Sequence, residues 1–177
     1  MIPTQTDEVL ARLIERVEGR YYGKYRGRVT DNKDPDHLGR LKAKVPRLLG
    51  DKETGWALPA FPYGGAAEQG FFAVPDVKAG VWIEFEGGDL SYPVWSGTWY
   101  TTNAIPESAT PGKKVLKTKS GHRLVLDDNG KTLLLADSNG NRITMDANGI
   151  EISDANGNSI KMTASGVSLN DGALEVT

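Results

Sequence analysis

The chain of 177 residues has no cysteine, so neither a disulfide framework nor a thiolate metal site is available to it. Its two histidines, His37 and His122, stand far apart in polar stretches with no His or Cys partner nearby, which removes the ligand spacing of a zinc centre. There is no excess of either charge: 21 basic residues face 23 acidic ones. Divided at Gly112, the second part carries eight of each and the first carries 13 basic and 15 acidic. Neither part has the basic surplus that dominates nucleic-acid affinity, so no nucleic-acid partner is expected. No run approaches the length of a membrane span, and Met1–Leu10 lacks the basic and apolar regions of a signal peptide. A protein made in the cytoplasm without a leader is expected. Aromatics are missing from a long stretch: every Phe, Tyr and Trp lies at or before Tyr100.

What is plentiful is glycine, 21 residues, mostly between short alternating segments. Many tight turns, and hence β structure, follow. The exception is residues 6–20, where Val9, Leu10, Leu13, Ile14 and Val17 fall on one helical face, with Thr6 or Asp7 able to cap it and Gly19 ending it. Segment 1–21 is therefore read as a short N-terminal helix.

From residue 22 to 102 the period becomes two. Tyr25, Gly27 and Val29 precede a polar turn, Asp31–Gly39, and then Leu41, Ala43 and Val45 alternate with Arg40, Lys42 and Lys44. Trp56–Ala60, Val81–Phe85 and Val94–Tyr100 make five short strands, and Pro46, Pro59, Pro75 and Pro93 sit at their ends or between them. A small Greek-key barrel of the OB type fits this count. Residues 103–112 (Asn-Ala-Ile-Pro-Glu-Ser-Ala-Thr-Pro-Gly) read as an extended linker with nothing to bury.

Residues 113–177 form a repetitive tail. Leu124-Val125-Leu126…Gly130…Leu133 recurs as Ile143-Thr144-Met145…Gly149…Ile152 and as Ile160-Lys161-Met162…Gly166…Leu169, a period of roughly 17–19 residues. Asn-Gly pairs at 129, 139, 148 and 156 supply sharp corners. The side chains expected to point inward are Leu124, Leu126, Leu133, Leu135, Ile143, Met145, Ile152, Ile160, Met162 and Leu169, continued by Leu174 and Val176. Positions between them are expected to be solvated. Burying a dozen aliphatic side chains does not offset the entropy of ordering some sixty residues. Several chains winding together would close the stripe and pair the open strand edges. Asn-Gly corners also suit antiparallel hairpins, so a meander stays open as an alternative, as does a monomeric solenoid.

Other features read as structural. Asp31, Asp34, Asp36 and Asn32 miss the alternate-ligand spacing of a calcium loop and read as a turn. Ser120-Gly121-His122 sits at a corner, and adjacency alone does not make a triad. Glu84 and Glu86 share a strand face by period, without a cleft-forming insertion to make a glycosidase pair. Gly64-Gly65 and Gly87-Gly88 lack the Lys-Ser/Thr of a phosphate loop. Trp82, Trp95 and Trp99 could form a stacking platform for single-stranded nucleic acid, but without a basic surplus they read as one barrel face packed on other subunits, and Lys113, Lys114, Lys117 and Lys119 read as a solvated collar. No catalytic, metal or cofactor site is expected, and the chain is read as non-enzymatic.

The stretch Arg26-Gly27-Arg28-Val29…Asp34-Pro35…Leu38-Gly39-Arg40-Leu41-Lys42-Ala43-Lys44-Val45-Pro46 resembles the opening of the OB domain in spike proteins of contractile tails. Gly80-Val81-Trp82-Ile83-Glu84-Phe85-Glu86-Gly87-Gly88-Asp89 and Tyr92-Pro93-Val94-Trp95-Ser96-Gly97 are similar to its continuation. The family includes baseplate assembly protein V of phages, the VgrG spike of type VI secretion and the spikes of extracellular injection particles. The resemblance implies a homotrimer whose tails form a triple-stranded β-helix, a membrane-puncturing needle in a virion tail or injection particle. It also implies a hub above and a PAAR-type tip protein below. The chain departs from VgrG in having about twenty residues before the barrel, so the hub is expected to be a separate polypeptide. The short linker leaves no room for a lysozyme domain. The tail ends without a His-x-His tip, and Leu174, Glu175, Val176 and Thr177 are expected to bind a separate cap. The rival function is a trimeric OB module for nucleic acid or glycan; an envelope hydrolase is the second alternative.

Overall fold

The computed structural model describes residues 6, 9–10, 13–14 and 17–176, with side chains described as far as residue 174. Asp7 as a cap and Thr177 at the tip lie outside the described residues, as do the side chains of Glu175 and Val176. The chain divides into two compact units, Met1–Thr101 and Thr102–Thr177.

In the first unit Thr6, Val9, Leu10, Leu13, Ile14 and Val17 are helical, and the apolar stripe of that helix is exposed. Five strands follow: β1 (Tyr25–Asp31), β2 (Lys42–Lys44), β3 (Leu58–Pro59), β4 (Gly80–Phe85) and β5 (Pro93–Trp99). Their order is β2-β1-β4-β5-β3, antiparallel except for β3 on β5. Leu41 and Ala57 exchange backbone hydrogen bonds of 3.2 and 2.7 Å, joining the segments that flank the two outer strands and curling the sheet shut. Alternation sends Val29, Leu41, Ala43, Val45, Val81 and Ile83 inward, where Ala57, Phe85 and Trp95 complete a buried core. All-β architecture with an OB-type barrel was legible from the two-residue period.

Trp95 departs from the shared packing face expected of it with Trp82 and Trp99. It is buried, stacks edge-on against Phe61 at 5.4 Å, and donates its indole N–H to the Gly39 carbonyl at 3.1 Å. Period two places it on the inner face beside Ile83, its register partner.

The second unit is an antiparallel meander of eight strands, each paired with the next: β6 (Lys113–Lys117), β7 (Arg123–Asp127), β8 (Thr132–Ala136), β9 (Arg142–Asp146), β10 (Gly149–Ser153), β11 (Ser159–Thr163), β12 (Gly166–Leu169) and β13 (Leu174–Val176). Each sequence repeat is two strands and two corners. A single chain thus takes the hairpin course that the Asn-Gly pairs allow. Residues 103–112 belong to this unit rather than running free. Pro106–Ser108 makes one tight turn, and Glu107 forms an ion pair with Lys117. Among the described residues, no helix is long and apolar enough to cross a membrane.

Candidate functional site

Residues opposite each other in an antiparallel ladder share a face. The register Leu124↔Leu135↔Ile143↔Ile152↔Ile160↔Leu169 forms one continuous row. Leu126↔Leu133↔Met145↔Ile150↔Met162↔Val167 forms a second row on the same face. Every expected inward position from Leu124 to Leu169 therefore falls on this one face, and Leu174 joins it opposite Leu169. Ile150 and Val167 belong there too. Each follows a corner glycine within the same sequence repeat, and the two-residue alternation counted back from Ile152 and Leu169 would have found them. Leu116, opposite Leu124, extends the face onto β6.

This face is open in the single chain. Leu135 is 50% exposed, and Leu126, Met145, Ile152 and Ile160 are each near 40%. A contiguous exposed aliphatic surface running from strand to strand marks an interaction face. Its side chains hold no nucleophile, acid or base, so the chemistry it offers is association through apolar burial.

The other face is more mixed than the expected solvated one. Val115, Val125 and Leu134 form its central row at the start of the sheet, and Val125 and Ala136 are buried. Farther along, Thr144, Glu151, Lys161 and Ser168 occupy the same row. Sequence alternation alone misses this, because a β-branched or aliphatic residue breaks the polar pattern only on the first strands.

The corners are held by carboxylates. Asp137 accepts the backbone N–H groups of Asn139 and Asn141 at 2.8 and 2.9 Å, and the Asn141 amide at 2.7 Å. Asp154 repeats the arrangement with Asn156 and Asn158, at 2.9, 2.8 and 2.7 Å. Asn141 side-chain donation, with the other hydrogen bonds, holds the Asp137 carboxyl at about 2. His122 stands where the later repeats have Asn141 and Asn158, and its Nδ1 accepts the Ser138 N–H at 3.3 Å. Ser120 pairs with the Thr118 hydroxyl instead of with His122. The lysine collar is ion-paired: Lys113 with Asp127 at 3.2 Å, Lys114 with Asp128 at 2.7 Å, and Lys117 with Glu107.

The barrel candidates separate in the same way. The Asp34 carboxylate accepts backbone N–H groups from Asp36, Leu38 and Arg40, and the Arg40 guanidinium closes on it at 2.6 Å. That guanidinium holds the carboxyl far below the usual range. Asn32 donates to the Pro75 carbonyl at 2.9 Å, so the acidic loop is a hydrogen-bonded turn. Among the described residues, no three His, Asp or Glu side chains are placed to hold a metal. Glu84 is bound by Lys24 and Ser96, which lower its pKa, while Glu86 lies beyond the strand in a tight turn, so the two do not face each other as a pair. Trp82 and Trp99 remain on the outer face. Arg26 lies 5.7 and 5.6 Å from their ring centres, and Arg28 lies 4.6 Å from that of Trp99.

Two known families match this architecture. Residues 25–100 match the type VI secretion system and phage-baseplate injector OB domain, and residues 113–175 match the phage baseplate V C-terminal trimerisation domain. A barrel of the one kind followed by a sheet of the other defines a structural baseplate component that trimerises through its tail. The two matches together span most of the sequence, and the chain belongs to the phage baseplate V family. No curated protein matches it.

Proposed function

We propose that this protein is the central spike of a contractile machine. Three copies bring their aliphatic tail faces together about one axis and form an interwound β needle below a hub. The observation that carries this reading is the exposed double row from Leu124 to Leu169, which a trimer would bury. Leu124, Leu126, Leu133, Leu135, Ile143, Met145, Ile152, Ile160, Met162 and Leu169 are the trimer core. Leu174, Glu175, Val176 and Thr177 form the end on which a PAAR-type tip protein sits. Sheath contraction drives the needle through the target envelope, a mechanical act that needs no bond chemistry.

The mass of the full chain in solution tests this first. A trimer is expected, and Met145→Asp or Ile160→Asp, placing three like charges near one axis, is expected to yield protomers. A folded protomer from the unmodified chain at working concentration would end the reading.

The guanidinium–indole cluster of Arg26, Trp82, Arg28 and Trp99 favours a second role, a barrel that stacks nucleic-acid bases or sugar rings. Salt-dependent oligonucleotide binding lost in Trp99→Ala would promote it. Binding absent at low salt would remove it.

A further inference from the structure

Six corners of the tail share one plan: an acceptor side chain, then, two residues on, an Asn or Ser followed by glycine. Asp127, Asp137, Asp146 and Asp154 head the corners that carry Asn129, Asn139, Asn148 and Asn156. Thr118 and Thr163 head the two that carry Ser120 and Ser165, and threonine never stands two residues ahead of an Asn-Gly pair in this chain. The four asparagines are exposed to water, and an Asn-Gly pair is chemically vulnerable there. Glycine has no side chain to shield its backbone nitrogen, which attacks the Asn side-chain carbonyl carbon. A nitrogen–carbon bond forms, the bond from that carbon to the amide nitrogen breaks, and ammonia leaves with the proton given up by the glycine nitrogen. Water then opens the cyclic imide to aspartate or to its β-linked isomer. Serine has no carbonyl at that place and cannot react so.

The aspartates oppose this attack at its two reacting groups. The Asp137 carboxylate accepts the Asn139 backbone N–H at 2.8 Å and the Asn139 side-chain N–H at 3.1 Å, which holds the amide against Asp137. Asp146 and Asp154 hold the amides of Asn148 and Asn156 at 3.5 and 3.4 Å. At the remaining pair the bond goes to the attacking atom: Asp127 accepts the Gly130 N–H at 2.9 Å, and a carboxylate beside that proton opposes its loss. Thr118 and Thr163 instead meet Ser120 and Ser165 hydroxyl to hydroxyl, at 3.2 and 2.8 Å. We propose that these aspartates are protecting residues, each holding its Asn-Gly corner against spontaneous cyclisation, and that the pairs become modification sites once the carboxylate is lost. The β-linked product adds a carbon to the main chain, which a ladder of fixed register cannot absorb. The matching of Asp with Asn and of Thr with Ser is thus a chemical safeguard as well as a turn signal.

The test ages the full chain in mildly alkaline buffer and counts, by peptide mass, the exchange of amide for acid at each pair. Asp137→Thr gives that corner a head the tail already uses twice, so a turn stays available to it. Asn139 is then expected to convert about ten-fold faster, the worth of one charge-assisted hydrogen bond. Asn129, Asn148 and Asn156 serve as internal references and are expected to keep their rates. Asn141→Ala is the control: it removes the amide bond from Asn141 to Asp137 and loosens the same corner, but leaves Asp137 on Asn139. Asn139 is expected to stay near its original rate there. Equal acceleration in the two variants would overturn the proposal, because loosening alone would then account for it. An unchanged Asn139 in Asp137→Thr would do the same. If all four pairs in that variant react at the rate of the guanidinium-unfolded chain, the aspartate is a folding residue rather than a protecting one, and the proposal falls.

Discussion

Asp34 shows how much of a small barrel one side chain can organise. Its carboxylate is buried, accepts three backbone N–H groups and binds Arg40, so it holds the turn that connects β1 to the Leu41 edge. Asp34→Asn keeps the shape and removes the charge that Arg40 answers. The variant is expected to melt at a lower temperature, followed by the tryptophan fluorescence of the barrel, to which Trp95, bonded to Gly39 at the end of that turn, contributes. The tail offers a pH counterpart in Asp137, whose pKa falls from 3.8 to about 2 on folding. A carboxylate with a depressed folded value stabilises above its unfolded pKa, and the contribution is lost as pH falls through the folded one. Acid titration followed by NMR is thus expected to loosen the 137–141 corner between about pH 4 and pH 2. Asp137→Asn should carry the looser corner already at neutral pH. An unchanged corner in the variant would show that backbone turn geometry suffices there.

At the scale of elements, the period of the sequence and the period of the sheet agree closely. The aliphatic positions from Leu124 to Leu169 and the barrel positions from Val29 to Phe85 were legible because side chains alternate on a pleated strand. Three kinds of feature were not legible. Trp95 and Trp99 sit four residues apart on one strand, yet an irregularity between β4 and β5 and the twist of the barrel put one inside and one outside. At the tight turn Pro106–Ser108, Glu107 reaches Lys117, a contact that no local pattern announces. A groove along Leu135, Ile143, Ile152 and Ile160 joins side chains from four neighbouring strands, visible only once the register is known. Corner glycines were legible as turns, and one carries more than a turn. Gly149 has φ +132°, and a Cβ there would lie 1.9 Å from the Met162 carbonyl oxygen. Gly149→Ala must therefore push β11 away from β10. Loss of trimer with an intact barrel spectrum is the expected result, checked by mass in solution and near-ultraviolet circular dichroism. A normal trimer would mean that the β10–β11 ladder yields without cost.

Over the whole molecule, the two units differ in where their stability comes from. The barrel closes its core within one chain: Leu41, Val45, Val81 and Ile83 are fully buried. The tail leaves most of its aliphatic side chains exposed in one chain and buries Val125 and Ala136, so its stability must include a term from association. A folded state that needs partners gains stability with protomer concentration by mass action, whereas a self-contained domain does not. All aromatic residues lie in the barrel unit, which gives each unit its own signal. In guanidinium titrations, the tryptophan transition is expected to stay fixed as protein concentration rises. The far-ultraviolet transition of the tail is expected to move to higher denaturant. Ile83→Ala should weaken the first by about 2–5 kcal/mol and leave the second in place. A tail transition independent of concentration, under reversible conditions, would mean that one chain already satisfies its aliphatic face, and association could no longer be the reason that face exists.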